Sequence, residues 1–224
     1  MNELALFAGA GGGLLGSKLL KWKTVCAVEF NEHARNVLVA RQNDGSLEPF
    51  PIWDDVQTFD GKTWRGYIDI ISGGFPCQAF STAAHGNNTA QDYWPEMLRI
   101  IGEVCPRYVL AENVSEEAII RVQADLEESG YWTNRCKLTA RFLGADHLRE
   151  RFWLFADSNH KSELGSKNNA KMAVIKECLP TIWQTKPGNP RMVNGVAHRV
   201  ERYTRIGNGQ IPAMVVTAWN LLKE

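Results

Sequence analysis

The sequence has no net charge, its 25 Lys and Arg side chains being matched by 25 Asp and Glu. A one-sign field that would hold the whole protein on a polyanion is therefore excluded. No CxxC pair occurs, and the five cysteines, Cys26, Cys77, Cys105, Cys136 and Cys178, are odd in number and far apart. That excludes a cysteine-based zinc site and a disulfide framework, predicts free thiols in a reducing compartment, and gives no reason to expect a metal. Apolar runs long enough to span a bilayer are missing, and residues 1–13 lack the basic stretch and cleavage pattern of a secretion signal. A cytoplasmic protein without a membrane partner is expected. Repeats and low-complexity tracts are missing as well, which excludes a solenoid.

What is present is an ordinary globular composition, 44% hydrophobic and 22% charged, over 224 residues. That length fits one α/β domain with a small appendage, not two large domains. The charges that cancel overall are unevenly placed. Residues 1–140 carry 12 basic and 18 acidic side chains, whereas residues 141–210 carry 12 and 6. A basic C-terminal third can supply phosphate contacts while the acidic remainder limits non-specific binding.

From residue 3 to residue 112 short apolar or β-branched runs alternate with stretches of helical periodicity. Strands are predicted at 4–8, 24–29, 68–72 and 108–111, and helices at 14–21, 32–41, 94–104 and 116–129. Such alternation predicts an α/β fold, a doubly wound, mostly parallel sheet with helices on both faces. Two further strands, at 132–138 and 152–155, can pair as a hairpin at one edge. Periodicity is then lost from 157 to about 197, where Pro180, Pro187, Gly188 and Pro190 punctuate the chain, and a last helix at 213–222 returns to the sheet. The chain thus divides into a main domain at 1–156, a small region at 157–205 and a returning segment at 206–224.

Phe7-Ala8-Gly9-Ala10-Gly11-Gly12-Gly13-Leu14-Leu15-Gly16 contains GxGxxG at Gly11, Gly13 and Gly16, directly before a helix. By itself that is a tight turn. With Glu29 ending the next strand it becomes a candidate cofactor site, because a carboxylate there accepts hydrogen bonds from ribose hydroxyls. Asp54 and Asp55 offer an acceptor for an adenine amino group. In Ile71-Ser72-Gly73-Gly74-Phe75-Pro76-Cys77-Gln78-Ala79-Phe80-Ser81 a cysteine follows the carboxyl end of a buried strand, the edge at which open α/β sheets assemble ligands. Position alone leaves open whether Cys77 is structural or a nucleophile. Glu112-Asn113-Val114 follows the strand at 108–111 and emerges at the same edge, so carboxylate and thiol are expected to meet.

Five blocks occur in order: residues 6–12 (Leu-Phe-Ala-Gly-Ala-Gly-Gly), 74–78 (Gly-Phe-Pro-Cys-Gln), 112–114 (Glu-Asn-Val), 149–151 (Arg-Glu-Arg) and 207–212 (Gly-Asn-Gly-Gln-Ile-Pro). In these blocks the chain resembles the bacterial and phage DNA cytosine-5 methyltransferases. The resemblance implies a Rossmann-like S-adenosylmethionine-dependent methyltransferase fold and a monomer acting on double-stranded DNA. It implies that the Cys77 thiolate adds to C6 of a flipped cytosine, that Glu112 holds or protonates N3, and that Arg151, assisted by Arg149, grips O2. It further implies that Phe7 stacks on the cofactor adenine, that Glu29 binds the ribose and Asp55 the amino group, and that Ala8, Gly9, Gly11, Gly12 and Pro76 line the cofactor. Asn208 and its neighbours would close over the methionine end. Gln78, Ser81 and Asn113 are expected on the substrate side, with Arg191, Arg199, Arg202 and Arg205 as DNA contacts in a small target-recognition region.

The chain departs from the family pattern at Ala5, where many members carry an acid, and at His147, where a glutamine is usual. Three other readings stay open at this point: an RNA cytosine-5 methyltransferase, a free-nucleotide methyltransferase, and an inactive DNA-binding regulatory homologue. The intact Cys77, Glu112 and Arg151 set weighs against the last, since a binding module needs none of it.

Overall fold

The computed structural model describes residues 1–76, 92–160 and 209–223. Among these residues seven strands form one sheet: β1 (Asn2–Leu6), β2 (Lys23–Val28), β3 (Ile52–Trp53), β4 (Ile70–Gly74), β5 (Tyr108–Asn113), β6 (Trp132–Thr139) and β7 (Glu150–Asp157). Five α-helices of the described residues accompany it: α1 (Gly12–Leu19), α2 (Glu32–Asn43), α3 (Trp94–Val104), α4 (Glu116–Glu128) and α5 (Pro212–Leu222). The order across the sheet is β3-β2-β1-β4-β5-β7-β6. The first five strands are parallel, and β7 runs antiparallel between β5 and β6. The expected hairpin forms, with its second strand on the inner side.

Local chemistry accounts for the helix boundaries. Asn31 and Ser115 accept hydrogen bonds from the Ala34 and Ala118 N–H groups and so cap α2 and α4. Pro95 and Pro212 stand in the first turns of α3 and α5, where no N–H partner is needed. Most predicted elements are displaced by one or two residues at an end, and two of these differences shape the site. β1 ends at Leu6 rather than at residue 8, because Phe7 takes a left-handed backbone (φ 55°) and opens the glycine turn. β5 runs on through Glu112 and Asn113, which pair with Trp153 and Phe152 of β7. The short β3 and the turns of 3-10 helix at Val56–Thr58 and Gly61–Trp64 were not anticipated.

Strand alternation sorts the core into two faces. Leu4, Leu6, Cys26, Val28, Ile71, Val109, Ala111, Leu154 and Ala156 pack with α3 and α4. On the other face, Ala5 and Ala27 meet α1 and α2, while Ile70, Leu110, Trp153 and Phe155 meet α5. Ala5, where an acid is common, is thus a buried core residue. Glu3 lies fully buried on this second face, and its carboxyl accepts hydroxyls from Ser17 (2.6 Å), Ser72 (2.5 Å) and Thr24 (2.7 Å). Burial raises its pKa above the ordinary carboxyl range despite those three donors. Among the described residues no helix is long and apolar enough to cross a membrane, and no group of three or more His, Cys, Asp or Glu side chains is placed to hold a metal.

Candidate active site

Because β1, β2, β4 and β5 are parallel, their carboxyl ends share one edge, and the turns leaving them form the candidate site. The turn after β1 uses positive φ at Gly9 (56°) and Gly11 (90°). The Gly9 N–H donates to Glu29 Oε2 (2.7 Å) and the Asn31 N–H to Oε1 (2.8 Å), so the carboxylate after β2 is locked beside that turn. Among the described residues a Cβ on Gly9 would meet nothing within 4 Å. Phe30, next to Glu29, is 73% exposed, an arrangement suited to stacking by a ligand ring. Phe7 is partly buried instead, packed on the α3 side with its ring 6.0 Å from that of Tyr93.

Asp55 caps the short turn after β3, accepting the Gln57 N–H at 2.9 Å. That turn is clamped from α3. Arg99 donates to the carbonyls of Val56 (2.8 Å) and Phe59 (3.1 Å), and Glu103 accepts the Gly61 N–H (2.9 Å). An open turn, a fixed carboxylate, an exposed aromatic ring and a second carboxylate on a braced loop fit the donor and acceptor set of an adenosine moiety. The sequence carries no signal for Phe30, because an aromatic beside a strand is most often core and only its exposure in the fold separates the two uses.

Three of the glycines have reasons of their own that involve no ligand. A Cβ on Gly12 would lie 2.1 Å from the Gln210 carbonyl oxygen, one on Gly13 2.3 Å from Gln210 Oε1, and one on Gly16 2.6 Å from Val215 Cβ. They let α5 and the residues before it approach α1. Gly12→Ala is therefore expected to cost about 3 kcal/mol, the upper end for overpacking, because backbone must shift. Gly9→Ala, which meets only conformational strain, should cost about 1 kcal/mol. Urea unfolding of both variants checks this, and equal midpoints would contradict it.

Glu112 is buried at the end of β5, 6% exposed. Arg151 Nε lies 2.8 Å from its Oε1, and Gln210 Nε2 donates to Oε2 at 3.4 Å. Burial pushes the Glu112 carboxyl above its usual range, against the opposing pull of Arg151, Gln210 and Arg149. Arg149, itself left-handed (φ 29°), donates to the Gly209 carbonyl. Burial and repulsion from Arg151 lower its pKa, with Glu112 opposing. The sequence-predicted carboxylate and both arginines are therefore brought together.

Asn113 does not join them. It is 3% exposed, its Nδ2 donates to the Phe75 carbonyl (3.0 Å), and its Oδ1 accepts the Ser115 N–H (3.0 Å). Asn113 thereby anchors the segment leaving β4. Phe75 is buried against Trp94, and the Pro76 carbonyl accepts the Tyr93 N–H at 3.4 Å. Cys77, Gln78, Ser81, Arg191, Arg199, Arg202, Arg205 and Asn208 lie outside the described residues.

The sequence profile of the C-5 cytosine-specific DNA methylases matches residues 1–211. The Type II methyltransferase M.NgoMIV of Neisseria gonorrhoeae is 34% identical over 167 residues, 70% of this chain and 52% of that protein. M.Eco47II of Escherichia coli is 38% identical over 114 residues, 50% of this chain and 26% of the relative. The chain thus spans between a quarter and about half of the length of these relatives. Among solved structures, a DNA modification methyltransferase encoded within an E. coli prophage is 26% identical with a TM-score of 0.54, over 70% of this chain and 46% of the other. The Dnmt2 methyltransferase of S. pombe (22% identical, TM-score 0.59, 73% of this chain and 53% of the other) shares the fold. With the profile matched over nearly its whole length, the chain belongs to the C-5 cytosine-specific DNA methylase family.

Proposed function

We propose that this chain methylates C5 of cytosine in double-stranded DNA, using S-adenosylmethionine and a transient bond from Cys77 to the base. The observation that carries the reading is the pairing of buried Glu112 with the partly buried Arg151. It lies at the end of β5 beside Gly74, whose absent Cβ would meet Glu112 Oε2 at 2.5 Å, and Gly74 stands three residues before Cys77 in the sequence.

The cytosine ring is unreactive toward electrophiles at C5 until a nucleophile adds at C6. In the proposed reaction the Cys77 thiolate forms a bond to C6, the C5=C6 π electrons move to C5, and the protonated form of Glu112, which burial favours, donates to N3 so that charge does not build on the ring. When bound, S-adenosylmethionine supplies an electrophilic sulfonium methyl. Once C5 carries the methyl, a base takes the C5 proton, the C5–H electron pair re-forms the C5=C6 bond as the Cys77 thiolate leaves C6, and N3 returns its proton to Glu112. Arg151, which orients Glu112, is proposed to reach O2 as well. C6 is closed off in a stacked duplex, so the base must leave the helix. For the cofactor, Glu29 is assigned to the ribose, Phe30 and Phe7 to the two sides of the adenine and Asp55 to its amino group.

The test is tritiated methyl transfer to duplex DNA, to RNA and to cytidine nucleotides, followed by bisulfite sequencing of the DNA. Label in DNA as 5-methylcytosine is expected; label confined to RNA or nucleotides would overturn the reading. The region at 157–205 is proposed to read the target. Each base pair read in the major groove needs a side chain that reaches it, so so short a region should specify roughly two to four base pairs. Methylome sequencing of expressing cells checks this, with Arg191→Ala, Arg199→Ala, Arg202→Ala and Arg205→Ala separating base contacts, which relax one position, from phosphate contacts, which weaken all sites. A motif of six or more specified bases would contradict it.

A further inference from the structure

Three glycines from two separate segments clear room for one residue, Gly12 for its backbone and Gly13 and Gly74 for its side chain. Gln210 puts its backbone carbonyl where a Cβ on Gly12 would stand, its Oε1 before Gly13, and its Nε2 3.1 Å from the Cβ position of Gly74. From that slot Nε2 donates to Glu112 Oε2 at 3.4 Å, while Arg151 holds Oε1 from the other side. The segment is itself pinned, since Arg149 donates to the carbonyl of Gly209.

We infer that Gln210 is a positioning residue for the reaction: it fixes the orientation of the Glu112 carboxyl from the side opposite Arg151 and ties it to the glycine turn. The inference rests on the role of Glu112 proposed above. The residue type suits that task. Arg149 and Arg151 already repel each other beside Glu112, so a third cation would crowd the site and hold the carboxyl ionised. A neutral amide gives one directed donor without added charge, which leaves Glu112 able to carry the proton it is to share with the base. The amide favours the ionised form over the neutral one, so its removal should make Glu112 harder to ionise as well as looser.

The test compares wild type with Gln210→Met, of similar shape but without a donor, and Gln210→Glu, which places a second carboxyl against the first. Glutamate labelled with 13C at the side-chain carboxyl is titrated by NMR, Glu112→Gln identifying the resonance. Relative to wild type, Glu112 should titrate about one pH unit higher in Gln210→Met, as loss of a hydrogen bond to a charged group requires. In Gln210→Glu it should titrate higher still, since two adjacent carboxyls resist joint ionisation. Single-turnover methyl transfer by Gln210→Met should fall about tenfold on its pH plateau, with the alkaline limb moved upward. Calorimetric binding of S-adenosylhomocysteine by each variant reports that the glycine turn is intact. Superimposable Glu112 titrations in wild type and the two variants would overturn the inference. Shifted titrations in a protein that methylates no DNA would sustain it and overturn the substrate assignment instead.

Discussion

Replacing Cys77 with serine is expected to abolish methyl transfer, with a loss of about a thousandfold or more, while S-adenosylhomocysteine still binds and the protein unfolds at the same temperature. The effect should be this large because the proposed chemistry has no route that avoids C6 addition. A serine hydroxyl ionises far less readily than a thiol and is the poorer nucleophile toward an unsaturated carbon, so C5 never gains the electron density to accept a methyl. DNA carrying 5-fluorocytosine supplies the second half of the test. After methyl transfer, fluorine cannot leave C5 as a cation, elimination stalls, and the wild-type protein should stay attached to the DNA through a denaturing gel. Cys77→Ser should show no such band. Full activity in the variant, or the absence of an adduct on a fluorinated duplex that the wild type binds, would sink the covalent route.

Glu112→Gln should have the second largest effect, lowering the single-turnover rate by about a hundredfold to ten-thousandfold, as removal of a positioned proton donor does. The pH dependence distinguishes this role from a structural one. Burial raises the pKa of Glu112, and the neutral form is the one that can donate to N3. The chemical step should therefore be fast below the raised pKa and fall as pH rises through it. The Cys77 thiolate needs the opposite change, so the wild-type profile is expected to be bell-shaped, with the thiol on the acid limb and Glu112 on the alkaline limb. Glutamine has an N–H donor but no proton to give up, so the variant should keep the acid limb and lose the alkaline one. The same sign applies to stability. A carboxyl with a raised folded pKa contributes fully below its unfolded value and loses that contribution as pH rises through the folded one, so Glu112→Gln should flatten the urea midpoint against pH. An unchanged bell in the variant, or a defect confined to cofactor affinity, would count against the assignment.

Much of this architecture is legible in the sequence alone, and the reason is visible in particular segments. The helix over Trp94–Val104 begins and ends where its periodicity and Pro95 place it, because helix periodicity and terminal chemistry involve residues a few positions apart. Gly9, Glu29, Glu112 and Arg151 were singled out by residue type and order, and Glu29 and Gly9, only 20 residues apart across one crossover, do meet. Phe30 was passed over although it adjoins Glu29, since exposure is a property of the assembled surface.

Asn113 and Gln210 show where local reading stops. Asn113 stands in a block whose order points to the substrate, yet its amide turns inward to the Phe75 carbonyl, 38 residues away. Gln210 lies in a block read for Asn208, yet it reaches Glu112, 98 residues earlier. The amino-acid sequence by itself determined the alternation of strands and helices, the glycine turn and the order of the reactive residues, because each depends on spacing and turn chemistry within a short stretch of chain. Only the tertiary structure decided that β7 enters between β5 and β6, that Gly13 and Gly74 make room for one amide, and which neighbour holds each oxygen of Glu112. Those outcomes depend on how distant segments pack, and a buried carboxyl takes its orientation and its proton affinity from whatever that packing sets against it.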